Sequence, residues 1–207
     1  MSVVLTDRAP ALRPSDLEAR AAEALLACVA RQGLRKTTLD DVAREAGTSR
    51  ATLYRNFASK QAVVDAAVRL EASRVTTALL DAAAATRTLE DAVVAVLRTA
   101  HRELAGHPAL TYVAAYEPER LLPSLSFGGL DGLLARASTA LAPAFAPYVG
   151  ADQAARGAEW VTRIGLTLLC APHAPVPLDD EAAVRRYASA FIVPALARSS
   201  TDLPHRR

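Results

Sequence analysis

The sequence predicts an all-α chain, with a small N-terminal three-helix module followed by a larger helical body, about nine helices in all. Three observations predict this. Apolar residues recur at helical spacing along most of the chain, Ser or Thr stands repeatedly at helix-start positions with an acidic residue three places on, and no segment combines strand alternation with turn chemistry. With 207 residues, 51% apolar and 22% charged, the chain has material for one sizeable core and a satellite module, and is too apolar to be disordered.

Residues 1–14, with Pro10 and Pro14, read as a flexible arm. Ser15 and Glu18 make an S-x-x-E capping box for a first helix of about four turns, in which Leu17, Ala21, Ala24, Leu25 and Cys28 share a face until Gly33 stops the run. Thr38 and Asp41 open a second, short helix with Leu39, Val42, Ala43 and Ala46 inward and Gly47 at its stop. Ser49 caps a third short helix whose Leu53 and Phe57 face in, leaving Arg50, Thr52, Tyr54 and Arg55 for outward positions. Residues 15–59 thus form one module, and residues 60–207 form the body.

In the body, helical spacing runs from Lys60 to about Ala84, and from Leu89 to Leu104 after the Thr88/Asp91 box; Gly106, His107 and Pro108 end it. Further helices are predicted over residues 109–117, about 125–146, 151–171 and 179–198, separated by Pro118, Pro123, Pro147 with Gly150, and the APHAPVP loop.

Two short helices joined through a glycine turn, with a third before them, fit the helix-turn-helix, whose second helix enters the DNA major groove. The charge distribution agrees. Residues 31–60 carry seven basic and three acidic side chains, so this window is +4 within a chain of net +2. Arg50 is a bidentate donor suited to guanine, Thr52 offers a hydroxyl and a methyl, and Ala51 is small enough for close approach or a thymine methyl. Tyr54, Ser49 and Thr38 are hydroxyl donors for phosphate, with Arg55 an added cation on the same helix. Lys60 falls in the first turn of the fourth helix, where a cation opposes the helix dipole unless a phosphate is held beside it.

The stretch TLDDVAREAGTSRATLYRNFASKQAVVDA resembles the DNA-binding signature of the TetR family of bacterial transcriptional regulators. The matching residues are Thr38 before the second helix, the run Val42-Ala43-Arg44-Glu45-Ala46-Gly47, Ser49, the segment Leu53-Tyr54-Arg55-Asn56-Phe57, and Lys60. The resemblance implies a homodimer on a palindromic double-stranded operator, usually repression, and release when a small molecule enters the body. It also implies that the last two long helices, about 151–171 and 179–198, pair with those of a second subunit.

For the effector, Tyr112, Tyr116, Phe127 and Trp160 are the candidate contacts, large groups near helix breaks in a body otherwise walled by Leu and Val, which would suit an apolar or aromatic compound. Each also suits a packed core. A constitutive or architectural DNA-binding dimer without an inducer is the alternative reading. An enzyme is not expected, since GxSxG, Walker A, GxGxxG after a strand and HExxH are all missing. No cofactor is called for. Four scattered histidines and two distant cysteines, Cys28 and Cys170, give no metal spacing, and both thiols are expected to be buried and free. The N-terminal residues do not pattern as a signal peptide and no long apolar run appears, so a cytoplasmic location is expected.

Overall fold

The computed structural model describes residues 16–121, 127–170 and 176–198. Among them every regular element is helical. The expected arm, the Ser15 cap, Pro123 and most of the APHAPVP loop lie outside the described residues.

Helix α1 (Asp16–Gln32) buries Ala21, Ala22, Ala24, Leu25, Cys28 and Val29, and ends at Gly33, whose φ of 85° lies in the left-handed region that favours glycine. Helix α2 (Leu39–Glu45) starts at a complete capping box: the Thr38 hydroxyl accepts the Asp41 N–H, and the Asp41 carboxylate accepts the Thr38 N–H. Helix α3 (Arg50–Asn56) is capped by Ser49, which accepts the Thr52 N–H at 3.0 Å, and buries Leu53. Helix α4 (Lys60–Ala84) is capped by Ser59.

Helix α5 (Leu89–Ala105), capped by Thr88, is the centre of the body, with Ala92, Val93, Val94, Val96, Leu97 and Thr99 buried. Helix α6 (Pro108–Tyr116) is capped by the His107 ring, whose Nδ1 accepts the Leu110 N–H at 3.1 Å, and is followed by a 3-10 turn at Pro118–Arg120. Helices α7 (Phe127–Val149) and α8 (Ala151–Cys170) form the most extensive helix pair. Helix α9 begins at Glu181–Tyr187, passes through a π-helical stretch at Ala188–Ile192 and finishes at Val193–Arg198.

Two expectations need correction. Pro147 does not end the helix before it, because α7 carries both Pro143 and Pro147 and stops only at Gly150. Both prolines are exposed while Leu141, Ala144 and Phe145 are buried, so the missing N–H bonds fall on the solvent side, where water serves the freed carbonyls. Cys170 is exposed at the end of α8; Cys28 alone is buried, and both are free thiols.

Two apolar clusters result. One joins α1, α2, α3, the first two turns of α4 and, from α6, Ala109 and Val113. The other joins the far part of α4 with α5, α7, α8 and α9, around Phe145, Val93, Val161, Val184 and Ile192. Gly165 lets α8 approach α5 closely, since a Cβ there would stand 3.2 Å from the Leu97 side chain. Arg185 fastens α9 to the start of α5 through Glu90 at 3.1 Å and Asp91 at 2.6 Å.

Candidate nucleic-acid interface

The seven residues of α3 cannot hold a helix alone, since isolated helices that short are unstable in water. Leu53, fully buried, and Phe57, 3% exposed at its C-cap, anchor it to the small core. Burying one such side chain contributes roughly 1.5–3 kcal/mol. The helical period then fixes the rest: Arg50, Ala51, Tyr54 and Arg55 all lie exposed on the outer side, and Thr52 is half-buried. Tyr54, 55% exposed, presents its ring and hydroxyl to solvent.

These side chains are not idle in the free protein. Arg50 pairs with Asp40 of α2 at 3.0 Å, an exposed contact of the kind worth little in water and readily exchanged for a base or phosphate. Ser49 Oγ and Thr52 Oγ1 are hydrogen-bonded at 2.8 Å, and the Arg55 guanidinium reaches Thr52 Oγ1 at 3.5 Å. Thr38 gives both its donors to Asp41: the hydroxyl at 2.6 Å and the backbone N–H at 3.0 Å. That hydroxyl reaches a phosphate only by leaving Asp41. The same bonds hold the Asp41 carboxyl below its usual pKa, the Thr38 hydroxyl contributing most.

Lys60 stands in the first turn of α4, as its position in the sequence predicts, but its ammonium is turned inward and donates to the Leu34 carbonyl in the turn between α1 and α2. Burial lowers its pKa, the nearby Arg120 charge lowers it further, and Glu117 opposes both. Arg35 and Lys36, counted in the basic window but given no role there, are exposed on that turn, which leads into α2.

The structure therefore brings Ser49, Arg50, Ala51, Thr52, Tyr54 and Arg55 onto one short helix, with Thr38 and Lys60 at the starts of its neighbours. Sequence reasoning paired Thr38 with Asp41 through the capping box but missed Asp40 as the partner of Arg50; opposite charges close in the chain were the available signal. Residues 21–67, which hold this arrangement, match the family model described as bacterial regulatory proteins, tetR family. A helix-turn-helix-type transcriptional regulator of Mycobacterium tuberculosis is 31% identical over 165 residues, spanning 78% of this chain and 76% of that protein. Its counterpart in a second strain of that organism matches equally.

The chain belongs to the TetR family. It is a TetR-family transcriptional regulator, built for DNA at its N-terminal end. Solved structures agree on the fold. The TetR family repressor AlkX of a Dietzia strain, implicated in biodegradation of n-alkanes, superposes with a TM-score of 0.66 at 20% identity over 89% of this chain and 100% of that one. A transcriptional regulator from Streptomyces coelicolor gives 0.61 at 13% identity over 91% and 100%.

Of the four candidate effector contacts of this TetR-family chain, the three whose side chains are described do not all converge. Tyr112 and Tyr116 meet on α6 with ring centroids 4.8 Å apart and planes tilted by 50°, Tyr116 being 71% exposed and Tyr112 lying against Gly33. Trp160, 40% exposed, lies instead on a cleft of about 270 Å³ between α8 and α9, together with Gln153, Arg156, Gly157 and Leu196. Phe127 opens α7, and its side chain lies outside the described residues. No helix among the described residues is long and apolar enough to cross a membrane.

Proposed function

We propose that this TetR-family regulator is a repressor that binds a palindromic operator as a homodimer in the cytoplasm and is released by a small apolar or aromatic effector. One observation carries the DNA-reading part: α3 is pinned by Leu53 and Phe57 so that Arg50, Ala51, Tyr54 and Arg55 face outward together. Arg50 and Ala51 are assigned to base edges, with Thr52 beside them; Ser49, Tyr54, Arg55 and Thr38 are assigned to phosphates. Lys60 joins the phosphate group by exchanging the Leu34 carbonyl for a phosphate oxygen.

Support for the dimer comes from α8 and α9. Phe191 is 64% exposed on α9, and Gln153, which lines the Trp160 cleft, has a buried Oε1 without a hydrogen-bond partner among the described residues. A second subunit would cover these groups.

Fluorescence anisotropy with duplexes tiled across the promoter of the protein's own gene tests the reading. Specific binding should stand well above the non-specific level of ~10⁻⁴–10⁻⁶ M at physiological salt, with two subunits per site. Arg50→Ala should cost ~1–3 kcal/mol and relax preference at one base pair. Lys60→Ala should weaken all duplexes alike and lower the salt slope by about one; an unchanged slope would assign Lys60 to the Leu34 carbonyl alone. The specific complex is the assay for effectors. A compound library that never dissociates it would favour a constitutive regulator.

A further inference from the structure

Among the described residues, Glu117 is the one charged side chain that is buried, 4% exposed. It is the C-cap residue of α6, yet its carboxylate engages a segment far away in sequence: both oxygens accept the Arg35 N–H, at 3.0 and 3.1 Å, across 82 residues. Arg35 lies in the turn between α1 and α2. That turn is braced internally, since the Gly33 carbonyl accepts the Thr37 hydroxyl at 2.7 Å and the Thr37 N–H at 3.2 Å. Two side chains from elsewhere complete it: Glu117 on the Arg35 N–H, and Lys60 on the Leu34 carbonyl.

The fit leaves no slack. A Cβ on Gly33 would stand 2.5 Å from Glu117 Oε1 and 2.6 Å from the Tyr112 ring, so glycine is required there by space as well as by its φ of 85°. Ala109 and Val113 of α6 belong to the apolar cluster of the DNA-binding module. Helix α6 is thus seated against α1 by its apolar face and fastened to the next turn by its terminal carboxylate. A buried carboxylate cannot let go of its N–H donor cheaply, because burial leaves water unable to replace it. A shift of α6 must carry the turn with it or break the bond.

We infer that Glu117 is a positioning residue for DNA binding: by holding the Arg35 N–H it fixes the turn that leads into α2, and so sets α2 and α3 relative to α6 without touching DNA. The inference rests on the assignment of α3 as the reading helix. It makes α6 part of the DNA-binding module in mechanical terms, although the body's sequence intervenes.

The test uses the full chain and three variants. Glu117→Asp keeps the charge but not the reach, Glu117→Gln keeps the reach but not the charge, and Glu119→Gln alters an exposed neighbour as a control. Amide hydrogen exchange, read residue by residue by NMR, should show Arg35 protected in the unaltered protein and exchanging about tenfold or more faster in Glu117→Asp, with Glu117→Gln between them. Affinity is read on the duplex that the unaltered protein selects from a random library. It should fall about tenfold in Glu117→Asp, as the fraction of molecules with α3 in place falls, while the salt slope stays unchanged because no phosphate contact is lost.

Fast exchange at Arg35 in the unaltered protein would overturn the inference, and this result needs no variant to fold. A folded Glu117→Asp with unchanged affinity would also overturn it. If the unaltered protein selects no duplex, the DNA-reading assignment fails instead, and the positioning role in DNA binding falls with it even where Arg35 is protected.

Discussion

The two apolar clusters are built by different means. The DNA-binding module is held by short-range devices: two helices of seven residues each, started by Thr38 and Ser49, separated by a turn containing Gly47 at a φ of 61°, and closed over Leu25, Val42, Leu53 and Phe57. The body uses long helices whose Ala, Val and Leu side chains meet partners far away in sequence, around the fully buried Phe145. Helix α4 joins them. Its buried residues fall in two groups, Val63, Ala66 and Ala67 at one end and Leu79 and Ala83 at the other, and between them the half-buried Leu70 packs on the first cluster and Val75 on the second. The lesson is that one rod serves two cores, so each can be weakened with a different effect on function.

The sharpest way to break this contrast is to hollow each core in turn. Phe145→Ala should destabilise the body by ~3–5 kcal/mol, and Leu53→Ala should destabilise the module by ~2–5 kcal/mol. The single tryptophan, Trp160, lies in the body and reports on it. Urea titration followed by Trp160 fluorescence should show an earlier midpoint for Phe145→Ala, whereas Leu53→Ala should abolish DNA binding while leaving that midpoint in place. An equal shift of the Trp160 midpoint in both variants would merge the two regions into one cooperative unit.

A milder probe is the cap of the reading helix. Ser49→Ala should cost about 1 kcal/mol locally, seen as weaker DNA binding and faster amide exchange in α3, with the Trp160 transition unmoved. Loss of helicity beyond α3 would contradict the local character claimed for the module.

The smallest effect is acid sensitivity. Hydrogen bonds from Thr38 in the module, and from Thr88 and then Arg185 in the body, hold Asp41 and Asp91 below their usual pKa. A carboxyl with a depressed folded pKa contributes its stability fully above the ordinary Asp value of about 3.9 and loses it as pH falls through the lower folded value. Asp41→Asn should therefore flatten the acid limb of the module's stability, and Asp91→Asn that of the body's; Thr38→Ala should reproduce the first. Identical acid limbs in the parent and both variants would sink this assignment.

What could be read from the sequence follows the same division. Thr38, Asp41, Gly47, Ser49 and Ser59 act on residues within a turn or two of themselves, so the module's helices and the outward face of α3 were legible. The inward turn of Lys60 was not, because its partner is the Leu34 carbonyl, 26 residues away, and no local pattern encodes that meeting. Glu117 was equally silent: among Tyr116, Pro118 and Glu119 it looks like one more residue at a helix break. The dispersal of Tyr112, Tyr116 and Trp160 depends on which helix faces which, information that periodicity does not carry. Pro147 misled for a related reason, since a proline on the wet side of a helix breaks less than one on the dry side.

The π-helical stretch of α9 has a consequence for comparing sequences. Val184, Ala188, Ile192 and Leu196 recur every four residues and all face the core, at 0%, 0%, 0% and 5% exposure. In an uninterrupted α-helix, positions four apart drift by about 40° around the axis, so the last of the four would have turned by about 120°. The wider turn at Ala188–Ile192, where the Val193 N–H reaches back to the Ala188 carbonyl, winds the stripe back into line. The stretch behaves as a one-residue insertion that the fold has absorbed. A relative whose last helix is regular should align with this chain only after a single-residue gap between Ala188 and Ile192, and deleting Ser189 should straighten the helix while leaving Leu196 facing the body.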